Sequence, residues 1–336
     1  MGVEWAPINI PFERRLQTLA VYFHFFVMLL FGSLATPLIL LYVLLFTSYW
    51  RWVIVYLMYE LYDFQTPEKG SRPIEWFRRS ILWHYFRDYF PVYLHKTVDL
   101  DSNKNYIFGY HPHGVIGIGA LLNFATDATG FSRKFPGIQA RLMTLASNFF
   151  VPIVRDYIMA LGFCSVSRKS ISYLLSQSGQ ATAVLIVVGG AQEALDANPG
   201  RYDLTLSNRK GFVKLAMKHG ADLVPVFSFG ENDVYWQLSN PEGSMTRRFQ
   251  MLVKKLTGIS PVFFHGRGVF NYTFGLMPYR KPINTVVGAP ISVPHVANPT
   301  QKEVADIHSQ YIAALKQLFE KHKHKFGASD AQLHIF

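Results

Sequence analysis

From Leu16 to Trp50 the chain runs 35 positions without an Asp, Glu, Lys or Arg. Drawn as one straight helix, such a run would reach roughly 52 Å at ~1.5 Å per residue, far beyond a hydrocarbon core of about 30 Å. Gly32, Ser33 and Pro37 sit mid-run, where glycine loosens the backbone and proline removes a helical N–H. The pattern therefore predicts a helical membrane hairpin, one limb near residues 16–35 and a second near 38–59. Arg14 and Arg15 precede the first limb, and Arg51 and Lys69 lie in or after the second. Basic residues at both ends place both ends on the cytosolic side, which a hairpin permits and a single span does not. Tyr49, Trp50 and Trp52 read as interface anchors, with Arg51 snorkelling among them. A signal peptide is excluded because its apolar region is only about 7–15 residues long. A buried pair of core helices is the competing reading of the same run.

Beyond the hairpin the pattern changes twice. Gln65 to Pro73 is a polar, turn-rich linker. From Ile74 to Leu94, Ile74, Phe77, Ile81, Tyr85 and Tyr89 recur at helical spacing among Arg78, Arg79 and Arg87, with Trp76, Trp83 and Phe90 on another side. That mixture predicts an interfacial amphipathic helix ending by Phe90, since Pro91 pushes its predecessor out of the α region. From Asp101 onward, short β-branched or aromatic runs alternate with helical stretches. The runs are Tyr106–Tyr110, Phe163–Val166, Ala183–Val188, Leu223–Phe227 and Ile283–Val287. Helices are expected over Ser170–Gln177 and over Lys210–His219, the latter stopped by Gly220. The segment Asn240–Phe270 is left unassigned. The last helix opens on a capping box of Thr300 and Glu303 and presents Val304, Ile307, Tyr311, Leu315 and Leu318 on one face. Its basic end, Lys321 to Lys325, suits both the helix dipole and an anionic membrane surface. The fold class expected is α/β, a mostly parallel sheet flanked by helices, behind the membrane hairpin. Three parts are expected: the N-terminal segment and hairpin over 1–64, the linker and interfacial helix over 65–100, and the α/β domain over 101–336.

Charge and composition narrow the partners. The formal net charge is +11, although only 16% of residues are charged. Such a balance fits nucleic acid, anionic lipid or a phosphorylated small molecule, and beside a membrane hairpin the last two are expected and nucleic acid is not. Cys164 is the only cysteine, so no intrachain disulfide can form, in keeping with a cytosolic face. Asn271-Tyr272-Thr273 is a glycosylation sequon that this topology hides from the lumen.

Candidate chemistry concentrates in three places. A hydrophobic strand runs into His111-Pro112-His113-Gly114, followed by Gly117 and Gly119. In open α/β sheets reactive groups gather at the carboxyl ends of strands, and an imidazole near its ordinary pKa of about 6.5 suits proton abstraction from a hydroxyl. His113, in the glycine-opened turn, is the expected base, and His111 shapes the loop by hydrogen bonding. The second place is Val187-Val188-Gly189-Gly190-Ala191-Gln192-Glu193, where Glu193 either holds the histidine tautomer or meets a substrate hydroxyl. A helix-start carboxylate serving only the dipole explains Glu193 equally well. The third is a cationic cluster, Arg209, Lys210 and Lys214, at the first turns of a helix. Cations there oppose the dipole, which points to a bound anion, or else to a solvated basic face.

These blocks together resemble one family. Tyr89–Pro91 (YFP), His111–Gly114 (HPHG), Val188–Ala197 (VGGAQEALDA) and Arg209–Asp233 (RKGFVKLAMKHGADLVPVFSFGEND) are similar to the diacylglycerol acyltransferase 2 family, in particular its monoacylglycerol branch. The likeness extends to the FERRLQTLAV start and to His265–Ile283, and the short extension before the hairpin is like the monoacylglycerol branch. The resemblance implies an endoplasmic-reticulum membrane enzyme, its catalytic face in the cytosol and able to associate with lipid droplets. Such an enzyme joins fatty acyl-CoA, as co-substrate, to monoacylglycerol or diacylglycerol, with no cofactor or metal. The family's catalytic histidine maps to His113. More distantly, the block order resembles glycerolipid acyltransferases that use His-x4-Asp, but Ile116 and Ile118 stand where that Asp would fall. Glu193 then becomes the substitute carboxylate, Gly114 offers a backbone N–H to the oxyanion, and Arg209, Lys210 and Lys214 bind the CoA phosphates, with Gly189 and Gly190 beside the substrate. Competing readings are a diacylglycerol or long-chain-alcohol acceptor, a zinc site of His111, His113 and Glu193, and a non-catalytic lipid-binding protein on lipid droplets. Association between copies of the chain stays open.

Overall fold

The computed structural model describes residues 2–177, 179–238, 240–241, 243–257 and 261–336. Its centre is a sheet built from β1 (Val92–Lys96), β2 (Tyr106–His111), β3 (Ile138–Thr144), β4 (Cys164–Ser165), β5 (Ala181–Val187), β6 (Asp222–Phe229) and β7 (Ile283–Val287). Across the sheet the order is β1-β7-β6-β2-β5-β3-β4. Neighbours run parallel except β7 against β6. The expected α/β class with a mostly parallel sheet is therefore present.

Burial on both faces explains why the central strands read as unbroken apolar runs rather than alternating ones. All six residues of β2 are buried. Tyr106, Phe108 and Tyr110 enter a layer with Trp83, Phe86, Phe90 and Phe124, whereas Ile107 faces Phe212, Tyr311 and Leu315 on the other side. The second layer is made by the helices Arg168–Ser176, Gly211–His219 and Gln301–His322. Gly220 ends the middle one in the left-handed conformation expected of a glycine stop. The capping box of Thr300 and Glu303 is formed, and all five predicted face residues of the last helix are buried.

The segment read as one interfacial helix is three elements. Glu75–Arg78 and Ile81–Tyr89 are separate helices, and the chain then enters β1 instead of continuing to Leu94. Trp83, Phe86 and Tyr89 are core residues, while Ile74, Trp76 and Ile81 of the supposed apolar faces are exposed. Of the rings that suggested a headgroup helix, Trp83, Tyr89 and Phe90 are thus spent on covering the sheet, whereas Trp76 is not. The unassigned stretch Asn240–Phe270 contains the helix Met245–Thr257 and the short strand Phe264–His265, which pairs antiparallel with Trp236–Gln237 just before the stretch. Positions 242 and 258–260 of that stretch lie outside the described residues.

The N-terminal apolar run bends, but not as expected. Helix Phe12–Tyr22 continues through the π-helical Phe23–Phe31 into Gly32–Phe46. The axis turns by 48° between Phe12–Leu30 and Gly32–Phe46, and Gly32 packs where a methyl group would stand 2.9 Å from Val154 Cγ2. Reversal comes later, at Thr47–Tyr49, before the helix Trp50–Tyr62. Much of the first expected limb is not free for lipid. Ala20, Val21, His24 and Phe25 are buried against the α/β layer, with His24 Nδ1 2.6 Å from the Tyr157 hydroxyl. The hairpin that projects is instead Gly32–Phe46 with Trp50–Tyr62, where Leu38, Leu45, Phe46, Trp52, Met58 and Leu61 are exposed. Among the described residues no single helix is long and apolar enough to cross a membrane, and the bent pair Phe12–Leu30 and Gly32–Phe46 satisfies that test only together. An ionic clamp roots the second limb: Arg155, 1% exposed, donates to Asp63 at 3.0 Å, and Arg72 bridges Asp63 and Asp156 at 2.7 and 2.8 Å.

Candidate active site

Three parallel strands end side by side, and each delivers a turn. β2 lies between β5 and β6, so His111 to Gly114, Gly189 to Glu193 and Gly230 to Glu231 converge beyond the same edge. A parallel pairing brings carboxyl ends together whatever the distance in sequence, and ligands in open α/β sheets bind there.

His111 is the buried, structural member of the pair. Its Nε2 lies 3.0 Å from the Tyr311 hydroxyl, which itself donates to the Gly109 carbonyl at 3.1 Å. With the tyrosine proton committed to Gly109, His111 Nε2–H must donate to the tyrosine oxygen. Burial pushes the His111 pKa down to about 3, so this ring is neutral. His113 is half-buried, and its Nδ1 donates to the Gly114 carbonyl at 3.0 Å. That bond selects the tautomer with a lone pair on Nε2. Burial lowers the His113 pKa below the ordinary histidine value, with the Gly114 carbonyl opposing weakly. In this tautomer the acceptor lone pair of the ring is on Nε2.

Glu193 sits beside His113 but does not hold its ring. Its Oε1 accepts the main-chain N–H of His113 at 2.6 Å, and Oε2 accepts that of Thr205 at 3.1 Å. Expected orientation of the imidazole by Glu193 is therefore replaced by orientation of the backbone that carries it. Gly189 is required for this: a Cβ there would lie 2.1 Å from Glu193 Oε2. The carboxyl is 2% exposed, and burial lifts its pKa to about 7 despite the two N–H donors. Gly190 turns in the left-handed region at φ 58° and faces open space.

Sequence reasoning missed a second carboxyl. Glu231 is 1% exposed, and its Oε2 accepts from the Tyr110 hydroxyl at 2.6 Å and from the Gly119 amide at 2.9 Å. A Cβ on Gly114, whose φ is 62°, would come within 2.8 Å of Glu231 Cγ. Burial raises this carboxyl to about 7 as well, with the Tyr110 bond pulling the other way. The available signal was a repeated grammar: Glu231 follows a buried strand and a glycine as Glu193 does. Ser228, Thr285 and Asn123 extend the network, the two hydroxyls 2.9 Å apart and Asn123 donating to Thr285 at 2.8 Å.

The three predicted cations stand at the start of one helix, as expected. Lys210 caps the helix Gly211–His219, with Arg209 just before it and Lys214 one turn on, and all three are exposed. Arg209 lies close enough to favour the charged form of Glu193, whereas Lys210 acts on His308 of the last helix. Arg209 has other company. Arg247 pairs with Asp196 at 2.9 Å, Lys254 donates to the Gln192 side chain, and Lys254 is depressed by burial and then by Arg209 and Arg247. Arg247 and Lys254 come from the unassigned stretch Asn240–Phe270. His111, facing Tyr311, and Glu193, held by amides, do not meet His113 as a three-ligand zinc set, and among the described residues no three His, Cys, Asp or Glu side chains gather in such geometry. Cys164 is buried, and burial pushes its thiol up to about 12, which disfavours the thiolate that a nucleophile needs.

A family model described as diacylglycerol acyltransferase matches residues 42–336. Bovine 2-acylglycerol O-acyltransferase 1 is 48% identical over 336 residues, covering 100% of both chains. Human diacylglycerol O-acyltransferase 2 is 49% identical over 322 residues, 96% of this chain and 82% of that one. A Dictyostelium discoideum diacylglycerol O-acyltransferase 2 is 48% identical over 321 residues, 96% of each. Among solved structures, the 1-acyl-sn-glycerophosphate acyltransferase PlsC of Thermotoga maritima aligns over 95% of this chain and 98% of its own, with TM-score 0.41 and 11% identity.

Proposed function

Because the chain belongs to the diacylglycerol acyltransferase family, we propose that it transfers a fatty acyl group from acyl-CoA to a hydroxyl of 2-monoacylglycerol, forming diacylglycerol. One observation carries the mechanism: His113 Nδ1–H is committed to the Gly114 carbonyl, leaving a neutral ring with Nε2 as its acceptor. Nε2 takes the proton of the glycerol hydroxyl as that oxygen attacks the thioester carbonyl carbon. The carbonyl π pair moves onto oxygen, where a backbone N–H of the glycine turn, at Gly114, stabilises it. When the pair returns, the C–S bond breaks, CoA leaves as a thiolate, and the proton on His113 passes to it. A thiol pKa of about 8.5 makes this a good leaving group without a strong acid. Glu193 holds the main chain of His113 in place, and Arg209 supplies positive charge for the CoA phosphates.

The reaction site belongs at the cytosolic face of the endoplasmic reticulum membrane, a placement supported by the exposed apolar hairpin and its basic flanks. Diacylglycerol as acceptor is the second reading, favoured by the 49% identity to the human diacylglycerol enzyme. The test is purified protein in detergent with labelled oleoyl-CoA and either 2-monooleoylglycerol or dioleoylglycerol. His113→Ala should lower transfer by ~10²–10⁴-fold, the worth of a positioned base. Transfer by that variant near the native rate removes the mechanism, and product formed only from dioleoylglycerol replaces the acceptor.

A further inference from the structure

The helix Met245–Thr257 is mounted inside out. A surface helix normally buries its apolar stripe and shows its polar face to water. Here the polar face is the packed one. Gln250, 1% exposed, accepts from Asn240 and donates to the Pro261 carbonyl, each at 3.0 Å. Arg247 makes a two-pronged contact with Asp196 at 2.9 and 3.1 Å, and Lys254 donates to Gln192. Residues 247, 250 and 254 lie on one side of the cylinder, and Met245, Phe249 and Leu252 lie on the opposite side at helical spacing. Those three are 79%, 52% and 55% exposed. The stripe continues onto the adjoining antiparallel pair: Phe263 stacks on Phe249 with ring centres 6.3 Å apart, and Leu238 donates its amide to the Phe263 carbonyl. Arg248 and Lys255 are exposed along one flank of the stripe.

We propose that this helix lies in the headgroup region of the bilayer, its apolar stripe among the acyl chains and Arg248 and Lys255 at the phosphates. Three features select a lipid surface as the occupant. The cations beside the stripe complement anionic headgroups, as in helices that lie along an interface. The chain already exposes an apolar hairpin over Gly32–Tyr62, so a bilayer is at hand. The packed face holds Gln192, just before Glu193, and Asp196, three residues after it, so the helix reaches the candidate active site through its polar side. Seated this way, the helix would set the Glu193 turn against the bilayer. The inference does not depend on the acyl-transfer reading.

The test uses the full chain reconstituted in phosphatidylcholine vesicles containing phosphatidylserine. Phe249→Cys and Leu252→Cys are labelled with an environment-sensitive fluorophore, and Lys302→Cys, on an exposed position of the last helix, is the control. Native Cys164 is buried and stays unlabelled. Nitroxide lipids should quench both helix labels, with aqueous iodide quenching at least ~5-fold weaker than at the control, as for a side chain below the headgroups. Iodide quenching equal to the control, without quenching by nitroxide lipid, overturns the proposal. Protection from both quenchers overturns it too, because a second copy or another part of the chain would then cover the stripe.

Discussion

A methyl group on Gly109 would stand 1.9 Å from the Tyr311 oxygen and 2.8 Å from its Cζ. Tyr311 is fully buried, with Phe212 at 5.0 Å between ring centres, so the ring cannot swing clear. Gly109→Ala should therefore displace the hydroxyl that bridges His111 and Gly109. Overpacking costs about 1–3 kcal/mol, and leaving the buried His111 donor unpaired costs about 1–3 kcal/mol more. Tyr311→Phe removes only the oxygen, and about 2 kcal/mol is expected for the two groups it leaves. The informative measurement is the double variant. In the double variant the 1.9 Å contact is gone and the His111 bond is lost only once, although Cζ at 2.8 Å still crowds the methyl, so the combined loss should fall short of the sum by about 1–2 kcal/mol. Denaturant unfolding of the four proteins in one detergent reads this directly, with oleoyl transfer as a second readout of the turn that His111 supports. Losses that add to within ~0.5 kcal/mol would refute the claim that the two changes act on one atom.

Three further outcomes follow from the site. The Glu193 carboxyl, raised from 4.5 to about 7, contributes stability that is complete below its unfolded value and lost as pH rises through about 7. Glu193→Gln should flatten that decline, by at most about 3 kcal/mol across the window, while cutting transfer about 100-fold through misplacement of His113, and an unchanged pH slope of stability argues against the burial of a titrating group. Since burial lowers the His113 pKa, kcat/KM should hold through mild acid and drop only below the ordinary value of about 6.5, and half-loss above that pH contradicts a buried base. Arg209→Glu should raise the KM for oleoyl-CoA about 10-fold with kcat nearly constant, and an unaltered KM removes Arg209 from the CoA phosphates.

Local chemistry carried much of this protein in its linear order. The charge-free run, the capping box of Thr300 and Glu303, the glycine stop at Gly220 and the strand leading to His111 were readable because each depends on neighbours within a turn or two. Strand alternation likewise announced a parallel sheet, because burial on both faces imposes one composition on every central strand. Partners distant in sequence were decided elsewhere. Tyr311 meets His111 across 200 positions, and Glu231 reaches Tyr110 across 121 positions because β6 pairs with β2. Glu193 showed its place beside the histidine, but whether it would hold the ring or the backbone depended on the room left at Gly189. The hairpin turned at Thr47–Tyr49, and Pro37 stayed inside the helix Gly32–Phe46. Helix Met245–Thr257 is the clearest case: its amphipathic order is written in the chain, yet which face turns inward was set by Gln192 and Asp196, which only the folded sheet brings beneath it.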